Sequence, residues 1–126
     1  MSMRHARWLI VIIGILLPYA ARLPFGVSWL AQYAHAGIAG HLLIGWCNAI
    51  AWGSLLILSF KFQKPVSLLL PALLGFGFLA WAHASLDLTA DAQSSVAILF
   101  IPIYAMVPIG IGGLIGLVID KNLFKK

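Results

Sequence analysis

Charged residues are scarce in this chain. They make up 9% of its 126 residues, against about 25% in an ordinary soluble domain. With 63% hydrophobic residues and a mean hydropathy of +1.04, there is too little polar surface to cover a fold in water. A soluble domain is therefore excluded. The single cysteine, Cys47, excludes an intrachain disulfide, and no CxxC-type zinc pattern is present. Eight Lys+Arg against three Asp+Glu give a basic chain, but its cations are too few and too scattered for a nucleic-acid surface. There is no glycine-rich phosphate loop and no pair of carboxylates inside an apolar stretch. What remains is one small all-α integral membrane domain over residues 1–126.

The gaps between charges organise that domain. Residues 23–60, 65–86 and 92–119 carry no charge, and 8–21 is a shorter apolar run. A spanning helix needs about 20 apolar residues, and helices close their own backbone hydrogen bonds in lipid. The polar/apolar alternation of barrel strands is absent. The expected architecture is thus a bundle of four transmembrane helices, near 6–22, 38–60, 65–86 and 96–119. The first is the shortest. Fourteen residues, Trp8–Ala21, reach only about 21 Å, whereas Ala6–Arg22 reaches about 25 Å with arginines snorkelling at both ends. A cleaved leader is the competing reading. It fits poorly, because cutting after Ala21 or Ala20 places Tyr19 or Pro18 at the −3 position.

Charge bias supports four spans. Arg4, Arg7, Lys61, Lys64, Lys121, Lys125 and Lys126 then share one side, and Arg22 alone lies on the other. By the positive-inside rule both termini are cytoplasmic, and the expected home is a bacterial cytoplasmic membrane. Pro24 ends the first helix. Val27–Ala36, with Trp29, Gln32, Tyr33 and His35, reads as a short helix in the outer interface. Pro65 suits the first turn of the third span, Leu86–Ser95 forms the second outer loop, and Asp120–Lys126 reads as a short basic tail.

Two rows of small residues recur at spacing four: Gly45, Ala49 and Gly53 in the second span, Gly112 and Gly116 in the fourth. Such rows let helix backbones approach closely in lipid. They serve either internal packing or an exposed seam for a partner. Asn48, near mid-bilayer, must face protein, and Tyr104 or a carbonyl freed by Pro102 or Pro108 is its expected partner. Pro18, Pro71, Pro102 and Pro108 each remove a backbone donor and kink helices. Transporters exploit such breaks, but coupling normally needs a deep ionisable group, and none lies in spans two to four.

Polar residues converge at the outer end. His41 and His83 lie at similar depth, Asp87 is one turn beyond His83, and Arg22, His35 and Asp91 share that level. Ion pairs of Arg22 with Asp87 or Asp91 are the plain reading. A metal site from His41, His83 and Asp87, or haem held by the two histidines, requires them to face each other across neighbouring helices. Catalysis is not expected. His83 and Asp87 share a helix face, but Ser85 between them points roughly 200° away from His83, which defeats a triad, and Cys47 sits alone among apolar residues.

In architecture alone, the layout resembles immunity proteins against pore-forming bacterial toxins, and equally accessory subunits of membrane complexes. The expected function is non-enzymatic and needs no cofactor: helix–helix binding to a membrane-protein partner, or to further copies of itself, through Gly45, Ala49, Gly53, Gly112 and Gly116. A homo-oligomeric channel or transporter using Asn48 and Tyr104 is the alternative. A haem- or metal-binding protein is a further one.

Overall fold

A computed structural model describes residues 1–34, 37–88 and 96–123. Asp91, His35, Lys125 and Lys126, weighed above, lie outside the described residues. The described residues form helices and no strand. The helices are α1 (Met3–Ala20), α2 (Val27–Ala34), α3 (Gly37–Ser59), α4 (Leu69–Ser85) and α5 (Ala97–Leu123), with single 3-10 turns at Leu23–Phe25 and Pro65–Leu68. Four stretches, Met3–Phe25, Gly37–Ser59, Pro65–Ser85 and Ala97–Asn122, are long and apolar enough to cross a membrane.

Local chemistry sets the ends. The Ser2 side chain accepts the His5 N–H at 3.2 Å and caps α1, which starts a turn earlier than hydropathy suggests. Gly26 (φ 106°) and Gly37 (φ 75°) adopt backbone angles that suit glycine, and they turn the chain into and out of α2. Pro71 does not kink its helix. It falls in the first turn of α4, where backbone N–H groups have no intrahelical acceptor.

The spans pack in a ring, in the order α1, α3, α5, α4, and α3 also meets α4 across one diagonal. The buried stripes are narrow: Ala6, Ile10, Gly14 and Pro18 in α1, and Pro71, Gly75, Leu79 and His83 in α4. A stripe of one residue every fourth position is what close helix contacts in lipid require, and large exposed side chains such as Trp46, Leu73, Trp81 and Leu114 cover the outside. Ala51, Leu55, Leu79, Ala105 and Ile109 fill the interior.

Glycines set the closeness of several contacts. A Cβ on Gly112 would lie 2.7 Å from the Pro71 Cα, and one on Gly116 would lie 2.8 Å from the Ser67 carbonyl oxygen. Both glycines are buried against the start of α4, so the expectation that they form an exposed seam is corrected. Gly14 packs on the Trp52 side chain and Gly75 on Ile109, two contacts outside the spacing-four rows.

The lysine-rich end differs from expectation in one respect. The helix does not stop at the fourth hydropathy gap but runs on through Asp120, which is only 1% exposed. Its carboxylate accepts the backbone N–H of Gln63 at 2.8 Å and of Lys64 at 3.1 Å, clamping the α3–α4 turn onto α5. Nearby, Arg7 donates to the Ser59 hydroxyl at 3.1 Å and lies 4.0 Å over the Phe60 ring, as a snorkelling cation would.

Candidate functional site

The polar residues gather at the end of the bundle that carries Arg22. This side chain is completely buried. Its Nε donates to the Trp29 carbonyl at 2.8 Å, and one terminal nitrogen donates to both the His83 and Leu86 carbonyls at 2.7 Å. The other terminal nitrogen donates to Gln32 Oε1 at 2.9 Å. The ring faces of Tyr33 and Trp29 stack on the guanidinium at 4.2 and 4.7 Å. His83 and Leu86 belong to the last turn and end of α4, where carbonyls lack intrahelical donors and the helix dipole is negative. Arg22 therefore caps α4 from the turn that follows α1, and these bonds offset the several kcal/mol that burying a cation costs.

Among the described residues, the direct ion pair expected between Arg22 and Asp87 is replaced by a relay through Gln32, and the alternative pairing with Asp91 lies outside them. Gln32 Oε1 also accepts the Leu88 N–H at 2.8 Å, and its Nε2 donates to Asp87 Oδ1 at 3.1 Å. The Trp29 indole N–H donates to the Ala84 carbonyl at 2.6 Å. Thus α2 is pinned to the end of α4 by Trp29 and Gln32, which share one of its faces.

Four aromatic and imidazole rings run through the cluster. Tyr33 and its neighbour His83 are buried and share a 2.8 Å hydrogen bond at Nδ1. Burial pushes the Tyr33 phenol up to about 12, despite the opposing pull of Arg22, so it stays protonated at neutral pH. Tyr19 bonds His41 Nδ1 at 2.7 Å, and the two tyrosine rings meet edge to face at 6.0 Å. His41 Nε2 also bonds the Ala34 carbonyl at 3.1 Å. A carbonyl only accepts, so Nε2 carries the proton there.

The two histidines are thus taken up by bonds other than those the metal and haem readings require. Each holds a different tyrosine, and both nitrogens of His41 are engaged. Among the described residues, no three of His, Cys, Asp or Glu converge as metal ligands would. His83 Nε2 is buried without a hydrogen-bond partner.

Deeper in the bundle, the partner of Asn48 is neither Tyr104 nor a carbonyl of the fourth span. Its Nδ2 donates to the Gly14 carbonyl at 2.6 Å. In a regular helix that carbonyl would accept the N–H of residue 18, which is a proline. Asn48 supplies from α3 the donor that Pro18 removed. Tyr104 instead lies 61% exposed on the flank of the bundle, its ring 6.4 Å from that of Phe100.

The remaining candidates are on the outside of α3. A Cβ added to Gly45 or Gly53 would meet no atom within 4 Å. His41, Leu42, Gly45, Trp46 and Ala49 line a shallow groove of about 310 Å³ there. The two small-residue rows thus part company: that of α5 is consumed inside the bundle, and that of α3 is presented outward. Comparison with protein-family models, curated proteins and solved structures finds no match.

Proposed function

We propose that the chain is a non-enzymatic integral membrane protein that acts by binding another membrane protein, helix against helix, through the outward face of α3. The observation that carries this reading is the open row of Gly45, Ala49 and Gly53, with nothing against Gly45 or Gly53 within 4 Å of a built Cβ. In lipid, association depends on close packing and dispersion rather than on a hydrophobic force, and small residues at spacing four provide the approach. The polar cluster supports this role indirectly. Apart from the buried His83 Nε2, its bonded groups hold α2 and α4, and Asn48 donates to a backbone carbonyl, so recognition falls to helix faces.

In this reading, both termini are cytoplasmic, since Arg4, Arg7, Lys61, Lys64 and Lys121 lie at one end and Arg22 at the other. The docked α2 then lies at the outer interface of a bacterial cytoplasmic membrane. The partner is either a larger complex that this subunit stabilises or a pore-forming toxin held inactive. The side-chain-filled interior argues against a pore along the bundle axis.

Pull-down in mild detergent from native membranes tests the reading. A stoichiometric membrane partner, lost in Gly45→Leu and Gly53→Leu while helix content is kept, supports it. Recovery of the chain alone, or a partner retained by both variants, overturns it.

A further inference from the structure

The flank between α1 and α4 is open. Leu9, Ile13, Leu73, Phe76 and Gly77 border a sideways-facing groove of about 480 Å³. Pro65 and Leu69, which border this groove, also border a second hollow lined by Lys64 and Val66. The depression is therefore apolar along its length and reaches a cation at the lysine-rich end. The described charges at that end are Arg4, Arg7, Lys61, Lys64 and Lys121 against Asp120 alone, so the end stays cationic even though Asp120 attracts Lys64.

Length decides what fits. On the α4 side the depression runs from Pro65 to Gly77, about 18 Å of helix. On the α1 side it ends at Ile13, beyond the middle of that helix. It therefore spans about one leaflet of a hydrocarbon core roughly 30 Å thick. Unlike the α3 face, this flank carries no row of small residues for a helix backbone to approach, and it ends beside a cation. A phospholipid needs this arrangement: one leaflet of apolar wall for an acyl chain, ending in positive charge at headgroup depth.

We propose that this groove binds one phospholipid with an anionic headgroup, its acyl chain along Leu9, Ile13, Leu73 and Phe76 and its phosphate beside Lys64. The site is on a different flank from the α3 row and stands or falls independently of it.

Native mass spectrometry of the purified chain tests this. The protein is equilibrated with an equimolar mixture of phosphatidylglycerol and phosphatidylcholine carrying identical acyl chains. One lipid per chain should be retained, with the anionic lipid preferred. Lys64→Gln should lower that preference about fivefold, the weight of one basic residue near a charged headgroup. Gly77→Phe, at a site where a Cβ meets no atom within 4 Å, should remove the retained lipid of either kind with helix content unchanged. If the phenylalanine variant loses helix content, Lys64→Gln alone decides. Equal retention of the two lipids by the unsubstituted protein overturns the proposal. So does a preference unchanged in Lys64→Gln, or lipid retained by a folded Gly77→Phe. A protein helix displaced by Gly77→Phe, with the lipids bound indifferently, would assign the groove to a protein and overturn it as well.

Discussion

The bond from Asn48 to the Gly14 carbonyl can be tested by restoring the donor it replaces. Asn48→Ala removes a 2.6 Å hydrogen bond, worth about 1 kcal/mol in a membrane bundle. It also leaves a buried carbonyl without a donor, which costs about 1–3 kcal/mol. Part of this is returned, because Asn48 Oδ1 is itself buried without a partner and leaves with the side chain. The net cost should be about 2 kcal/mol. In a Pro18→Ala background, the new N–H at position 18 reaches the Gly14 carbonyl by the ordinary helical bond. Asn48→Ala then leaves no orphan, and its cost should fall to about 1 kcal/mol or less. The double-mutant cycle should therefore show a coupling of about 1–2 kcal/mol. Unfolding by sodium dodecyl sulfate titration from mild-detergent micelles, followed by tryptophan fluorescence, measures each corner. The probe is apt because Trp52 packs directly on Gly14. A coupling below about 0.3 kcal/mol, the scatter expected of independent sites, would refute compensation of Pro18 by Asn48.

Three further outcomes follow from the same geometry. Arg22→Met strips the donor from the carbonyls of Trp29, His83 and Leu86 and from Gln32, so the same titration should register a loss of roughly 3–5 kcal/mol; Arg22→Lys should fall between, and hydrogen exchange should quicken in α2 before α3. Gly116→Leu drives a side chain toward the Ser67 carbonyl oxygen, 2.8 Å from its Cβ alone, and should unfold or severely destabilise the bundle. Gly53→Leu, facing open space, should leave the isolated protein's stability within about 0.5 kcal/mol, and equal losses in the two would contradict the inward and outward assignment. Tyr33, with its phenol raised from 10.0 to about 12, contributes stability that is fully present below about pH 10 and is lost as pH rises through about 12. The stability difference between the unsubstituted protein and Tyr33→Phe should therefore shrink by about 2–3 kcal/mol over that window, and a flat difference would show that the phenol is not buried in solution.

Hydropathy alone located the spans to within a few residues, because a chain in lipid has to close its backbone hydrogen bonds within each segment. It failed where a charge is not a boundary. Asp120 reads as the start of a tail, yet it continues the buried positions Ala105, Ile109, Gly112 and Gly116 of α5 at helical spacing. That continuity is the signal that could have placed it inside. The convergence of Arg22, His41, His83 and Asp87 at one end was readable from their depth in each span. Their bonding was not. Arg22 is held by carbonyls of Trp29, His83 and Leu86, and every residue has a carbonyl, so no side-chain pattern announces it. The Gln32 relay was equally hidden, because its amide bridges α2 and the end of α4 only once both are docked. Pro18 illustrates the same limit: a proline shows which carbonyl loses its donor but not which helix supplies another.

The two small-residue rows carry the last step of the functional argument. Gly45, Ala49 and Gly53 have the same spacing as Gly112 and Gly116, so spacing cannot assign either row to inside or outside. What lies opposite decides it. The α5 row meets Pro71 and the Ser67 carbonyl, where only glycine permits the approach, and its conformational cost is returned as packing. An outward glycine in α3 has no such return within the chain. Gly in a helix interior is less favourable than Ala by about 1 kcal/mol, and Gly45 and Gly53 both stand in the interior of Gly37–Ser59. In the isolated bundle that cost is uncompensated, whereas a partner helix seated on the row would recover it through contacts no larger side chain allows. Gly45→Ala and Gly53→Ala should therefore raise the stability of the purified chain slightly while weakening its association in membranes. Opposite signs from one substitution are what a binding face predicts, and a packing face would lose on both counts.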